Sequence, residues 1–219
     1  MSTFPRIQPL GDSAAMIEFG DQISLEINST VHALAFLLAE QPPAGIIEWL
    51  PTYAALTIYY DPLMLSYRDV EQWLSQRVVG LVAGQTQSSR VIEVPVVYGG
   101  EVGPDLDFVA QHHDLTTQEV IRIHTEREYH VFMLGFTPGF PYLGELDERI
   151  ATPRLESPRL RVPAGSVGIA ARQTGIYPVE SPGGWRIIGR TSLKLFDLER
   201  DPPFLIGAGD KVKFIAVQA

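Results

Sequence analysis

Gly135-Phe136-Thr137-Pro138-Gly139-Phe140-Pro141-Tyr142-Leu143-Gly144 opens the stretch whose reading decides the fold of this 219-residue chain. From Gly135 to Arg190, nine glycines and seven prolines take 16 of 56 positions, against 20 of 163 elsewhere. Proline fixes φ and lacks an N–H, while glycine admits positive φ. Long helices are therefore not expected there; short strands joined by shaped loops are, as in a barrel or sandwich. Two readings of the quoted run stay open. Phe136, Phe140 and Tyr142 form an apolar wall with ligand access to the backbone around Gly139, or they fill a tight corner between strands.

The same stretch concentrates arginine. Arg154, Arg159, Arg161, Arg172, Arg186 and Arg190 lie between residues 150 and 190 with no lysine and only Glu156 and Glu180, a local +4 in a chain of net charge −9. Arginine without lysine points to forked hydrogen bonding more than to a diffuse field. Arg159 and Arg161 share a face if the segment is extended, which suits bidentate capture of a carboxylate or phosphate. The competing reading pairs each arginine with one of the chain's surplus carboxylates. Gln173-Thr174-Gly175-Ile176-Tyr177-Pro178 and Ser181-Pro182-Gly183-Gly184-Trp185 follow. The second offers unhindered N–H groups beside a hydroxyl and a large ring, as an anion nest or a plain turn would.

Working outward, Val91–Tyr98 reads as a strand that Pro95 confines to an edge or bulge. Asp105–His112 reads as a short helix, and Thr116-Thr117-Gln118-Glu119 as a capping box opening a second helix that runs to about Arg127. His124 sits on that helix's apolar face with Val120 and Ile123, as a general base or as a satisfied core histidine. Tyr129–Leu134, Leu193–Phe196 and Lys211–Val217 read as strands. Residues 80–90, small and polar, read as a linker. Before it, Ala14–Phe19, a helix starting after Asp21 and running to about Glu40, strands Ile46–Leu50 and Ala55–Tyr60, and a helix capped by Ser66 and Asp69 suggest two helices on one face of a mostly antiparallel sheet. The domains expected are thus residues 1–85, small α+β, and 86–219, mainly β.

The chain has no cysteine, which excludes disulfides, zinc–thiolate sites and thiol catalysis. Its acidic balance argues against nucleic acid as a partner. No apolar run approaches the ~18 residues of a membrane span, and the N-terminus lacks a secretory signal, so a cytoplasmic location is expected. No Walker loop, dinucleotide fingerprint, His-Glu-x-x-His or nucleophile elbow occurs. No metal site is predicted; His112 and His113, adjacent on a helix, point apart.

The quoted strings, with Val162-Pro163-Ala164-Gly165-Ser166-Val167-Gly168-Ile169-Ala170, Pro95-Val96-Val97-Tyr98-Gly99-Gly100, Gly103-Pro104-Asp105-Leu106 and Gly11-Asp12-Ser13-Ala14, resemble the family of 5-oxoprolinase B subunits, also labelled allophanate hydrolase subunit 1. The resemblance is dense over residues 90–215 and looser before them. It implies an α+β N-terminal domain followed by a mainly-β, cyclophilin-like barrel domain. It implies a component, inactive alone, that pairs with a paralogous C subunit. With that partner and an A subunit, it opens the lactam of 5-oxo-L-proline to L-glutamate using ATP. Because no Walker loop is present, ATP is expected in a site shared with the C subunit or wholly on it. Two alternatives are carried: a non-enzymatic inhibitor of a sensor histidine kinase, and a component of a related allophanate or urea-amide hydrolase. The residues expected to bind substrate or nucleotide are Phe136, Gly139, Phe140, Arg154, Arg159, Arg161, Gln173, Thr174, Tyr177, Ser181, Gly183, Gly184 and Arg190, with His124 as the acid or base.

Overall fold

The computed structural model describes residues 4–79, 81 and 90–218. Its contacts divide the chain into two compact units, 1–88 and 89–219. The linker expected over residues 80–90 falls almost wholly outside the described residues.

In the first unit, β1 (Arg6–Pro9), β2 (Ala14–Glu18), β3 (Ile46–Pro51) and β4 (Ala55–Tyr60) form an antiparallel sheet in the order β1-β2-β4-β3. Side chains alternate along a strand, so Ala15 and Ile17 of β2 share a face with Leu56, Ile58 and Tyr60 of β4. Helices α1 (Leu25–Glu40) and α2 (Tyr67–Val78) bury Val31, Leu34, Leu38, Val70 and Leu74 in the same cluster. α1 starts after Asp21, as read, at the cap formed by Ser24, whose hydroxyl accepts from the Ile27 N–H. The Ser66–Asp69 capping box on α2 is present as read. β1 escaped the sequence reading: four residues ending in proline carry too little alternation.

In the second unit, seven strands close into a barrel in the order β10-β7-β6-β13-β5-β12-β9. They are β5 (Val91–Tyr98), β6 (Glu128–Gly135), β7 (Phe140–Gly144), β9 (Ser166–Ala170), β10 (Gln173–Ile176), β12 (Arg186–Arg190) and β13 (Lys211–Ala216). Pro95 is accommodated as its chemistry requires. The Val96 carbonyl accepts from the Val217 N–H beside β13, so Pro95 faces the other way, where β12 pairs only with Val97 and Tyr98. Helices α3 (Leu106–His112) and α4 (Thr117–Glu126) add Leu106, Val109, Val120 and Ile123 to a core shared with Val94, Val131, Val167, Ile169 and Phe214. Leu193–Phe196 is not a strand; only a bridge from Phe196 to Phe204 forms there. Among the described residues, no helix is long and apolar enough to cross a membrane.

A two-stranded ribbon of β8 (Arg159–Val162) and β11 (Ser181–Gly183) lies outside the barrel ladder. Strand alternation splits β7. Leu143 joins the main core, whereas Phe140, with Tyr142 packed beside it, joins a second cluster with Val162, Ala170, Tyr177, Trp185 and Ile187. That second cluster, between barrel strands and ribbon, positions the site.

Candidate functional site

Phe136, Phe140, Tyr142, Tyr177 and Trp185 line a cleft of about 300 Å³, with Pro158, Pro182, Gly183, Gly184 and Arg154 completing it. Phe140 is the hub. Its ring meets Tyr177 edge-on at 5.1 Å, Trp185 edge-on at 5.4 Å, Tyr142 at 4.9 Å and Phe136 edge-on at 5.7 Å. Edge-to-face contacts lock such rings beyond their burial by roughly 0.5–1.5 kcal/mol each, so the wall is formed before any ligand arrives. Phe140 is buried, whereas Phe136 is 61% exposed and holds a positive φ of 62°. A bulky residue rarely adopts that conformation, and here it turns the ring over the cleft.

Glycines make room for the rings. A Cβ on Gly183 would overlap the Tyr177 hydroxyl, and one on Gly175 would sit 3.0 Å from both Phe140 and Trp185. Burial raises the pKa of Tyr142 and of Tyr177. Both phenols stay protonated near neutrality and serve as hydrogen-bond partners, not bases.

The cation in the cleft is Arg154, exposed and with its guanidinium 5.8 Å from the Trp185 ring centre. Among the described residues it has no carboxylate partner. The neighbouring arginines differ. Arg159 donates to Asp105 at 2.8 Å, Arg161 pairs with Glu180 at 3.3 Å, and Arg172 pairs with Glu148 at 2.7 Å. Arg186 lies 3.7 Å over the Phe108 ring, with Asp105 at 4.0 Å.

The structure thus gathers Phe136, Phe140, Arg154, Tyr177, Gly183 and Gly184 and leaves the other expected residues elsewhere. Arg159 and Arg161 do not converge on one anion, because each already has its own acid. Asp105 explains the first pairing. It is buried, accepts the Ile187 N–H at 2.6 Å as well as Arg159, and so ties the start of α3 to β12 and β8. Ser181, Gly183 and Gly184 do not form an anion nest. Neither glycine has positive φ, and the Gly184 carbonyl accepts from the Leu155 N–H. The Ser181 hydroxyl is buried without a partner among the described residues. Gln173 stands at the start of β10 and does not line the cleft. Gly139 turns the chain into β7 at φ 79° behind the wall, against Phe204.

His124 is not in the cleft. It is fully buried between Tyr98 and Thr174, 2.8 Å from the Tyr98 hydroxyl through Nδ1 and 2.9 Å from Thr174 Oγ1 through Nε2. Thr174 donates its own proton to the Gly168 carbonyl, so it accepts from Nε2–H, and Nδ1 accepts from Tyr98. Burial pulls the imidazole pKa down to about 3. A neutral, enclosed ring with both nitrogens satisfied is a core strut, and Thr174 shares that role. Arg190 lines a separate cleft beyond the Ala164–Gly165 turn.

Trp185, Pro158 and Pro182 were missing from the expected binding residues, and so was Tyr142, although one reading of the quoted run places it in the apolar wall. The signal for Tyr142 was its i+2 spacing from Phe140, which puts both rings on one face of β7.

A family model described as "Carboxyltransferase domain, subdomain C and D" matches residues 5–206. The chain is 47% identical to the 5-oxoprolinase B subunit of Bacillus subtilis over 97% of its length and 92% of that protein's. It is 44% identical to the protein of that name from Escherichia coli O157:H7, covering 94% of this chain and 93% of the relative. The crystal structure of TTHA0988 superposes with a TM-score of 0.83 at 39% identity, covering 94% of this chain. This chain spans 40% of the TTHA0988 chain.

Proposed function

The chain belongs to the family of 5-oxoprolinase B subunits, and on that premise we propose that it is the B component of an ATP-dependent enzyme that opens 5-oxo-L-proline to L-glutamate together with its A and C subunits. One observation carries the assignment of substrate to the aromatic cleft: Arg154, the guanidinium without an acid, stands over Trp185 in a preformed apolar cavity. 5-Oxoproline is a small flat ring bearing one carboxylate. The rings of Phe140, Tyr142, Tyr177 and Trp185 enclose the lactam and exclude water, and Arg154 receives the carboxylate through paired N–H donors.

ATP supplies the phosphoryl group that activates the lactam oxygen. This chain's part is to hold and orient. The residues lining the cleft include no carboxylate and no imidazole, and both tyrosines stay protonated. The groups that move protons belong to the A and C subunits, which accounts for a component inactive by itself.

The test is ATP-dependent glutamate release by the chain assembled with its A and C subunits. Arg154→Met is expected to raise the KM for 5-oxo-L-proline at least tenfold, with Arg161→Met, whose guanidinium faces solvent, as the control that leaves it unchanged. An unaltered KM in Arg154→Met contradicts the proposal.

A further inference from the structure

Residues 136–139 join β6 to β7, whose ends pair through Gly135 and Phe140. They make two consecutive turns. The Phe140 N–H donates to the Thr137 carbonyl at 3.0 Å across Pro138 and Gly139, the latter at φ 79°. Proline followed by glycine at those two places is the composition of a type II turn, and it leaves that half of the loop little freedom. The Thr137 N–H donates to the Gly135 carbonyl at 2.7 Å across Phe136, which has φ 62°. A three-residue turn closed over a positive φ is the rare, strained form of the γ-turn.

Glycine would occupy that φ freely, and the loop has glycine at 135 and at 139. At 136 the chain instead holds an exposed phenyl ring. Thr137 Oγ1 is buried without a hydrogen-bond partner among the described residues, so its hydroxyl does not fasten the turn. Ring contacts do: Phe136 meets Phe140 edge-on at 5.7 Å and Tyr177 edge-on at 6.4 Å. Backbone strain of this kind persists where the side chain it presents is used.

The contacts set an order along the cleft. Arg154 stands over Trp185, Trp185 packs on Phe140, and Phe140 packs on Phe136. A carboxylate held at Arg154 leaves the body of the ligand against Phe140, with Phe136 at its far end. We propose that Phe136 is a specificity-determining residue that sets the ring size the cleft accepts. A five-membered lactam acid fits within its reach, and the six-membered homologue, one methylene larger, meets the phenyl ring. The proposal rests on the reading of this cleft as the 5-oxo-L-proline site. An apolar pocket discriminates a single methylene by roughly 10–200-fold. The paired strand end on one side of Phe136 and the Pro138–Gly139 turn on the other keep the ring from retreating.

The experiment is calorimetric titration of the full chain with 5-oxo-L-proline and with 6-oxo-L-piperidine-2-carboxylate, which carry the same carboxylate and amide. The parent is expected to bind the five-membered acid at least tenfold more tightly. Phe136→Ala is expected to bring the two acids to within about threefold, chiefly by strengthening the larger one. A merely structural role would not produce that change, since a loosened wall weakens both acids. Phe136→Gly is expected to lose the same selectivity and to melt above Phe136→Ala, because glycine takes φ 62° without strain. Each variant is first matched to the parent by circular dichroism. Equal affinities in the parent, or a ratio unchanged in Phe136→Ala with both acids bound, overturn the specificity role and leave the substrate reading standing. A Phe136→Gly variant that melts no higher than Phe136→Ala overturns the strained turn as its basis. Binding of neither acid by the folded parent overturns both the specificity role and the substrate reading.

Discussion

His124 makes the barrel's stability depend on pH in a defined direction. Its pKa falls from 6.5 to about 3 on folding, through burial. A proton therefore binds the unfolded chain more readily than the folded one between those values, and stability is lost as pH falls through that window. Each tenfold change in an ionisation constant is worth about 1.4 kcal/mol, so the whole window is worth on the order of 5 kcal/mol. Between pH 7 and pH 5 the loss from this ring alone is about 2 kcal/mol. The cause is the full burial of the ring; protonating Nδ1 also takes away the acceptor of the Tyr98 hydroxyl proton.

The assay is urea denaturation at pH 7 and pH 5, followed through Trp185 fluorescence with Trp49 and Trp73 replaced by phenylalanine. His124→Gln is the comparison. It is expected to cost roughly 1–3 kcal/mol at pH 7, because Tyr98 and Thr174 lose well-placed partners. By pH 5 the gap between parent and variant should shrink by about 2 kcal/mol, because only the parent pays to keep the ring neutral. A gap that stays constant or widens on acidification refutes the reasoning.

Asp105→Ala should destabilise the second unit by about 3 kcal/mol, because it strands the buried Ile187 N–H and leaves Arg159 without its acid; chemical denaturation measures it. Gly183→Ala should push the Tyr177 ring out of place and weaken 5-oxo-L-proline binding at least tenfold, read by calorimetry on a folded variant. Thr116→Ala removes the hydroxyl that accepts the Glu119 N–H and should cost about 1 kcal/mol by the same denaturation assay.

Much of this architecture could be read before any coordinates, and the parts that could not share a physical reason. Capping boxes are local, so Ser66–Asp69 and Thr116–Glu119 were legible from spacing alone. The crowding of glycine and proline between 135 and 190 pointed to short strands, and those strands close the barrel. Long-range pairing was out of reach. Nothing near Arg159 in sequence announces Asp105, 54 residues earlier, and so Arg159 read as a free anion anchor. Arg161 failed for the same reason, its acid being Glu180 on the far side of several turns. His124 read as either a base or a core residue because helical periodicity places it on an apolar face without saying what covers that face. Trp185 was noticed only as a bulky neighbour of glycines. Its part in the wall depends on Gly168 and Gly175, on two strands whose pairing brings them beneath the ring.

The central claim is that Arg154 over Trp185 recognises the carboxylate of a small cyclic amide. The direct measurement is a thermodynamic cycle by calorimetry, in which 5-oxo-L-proline and its neutral carboxamide are each titrated into the parent chain and into Arg154→Met. A charge-assisted hydrogen bond is worth about 1.5–3 kcal/mol, so the parent should prefer the acid by at least tenfold and Arg154→Met should bind both equally. The same preference for the acid in both proteins would contradict the account.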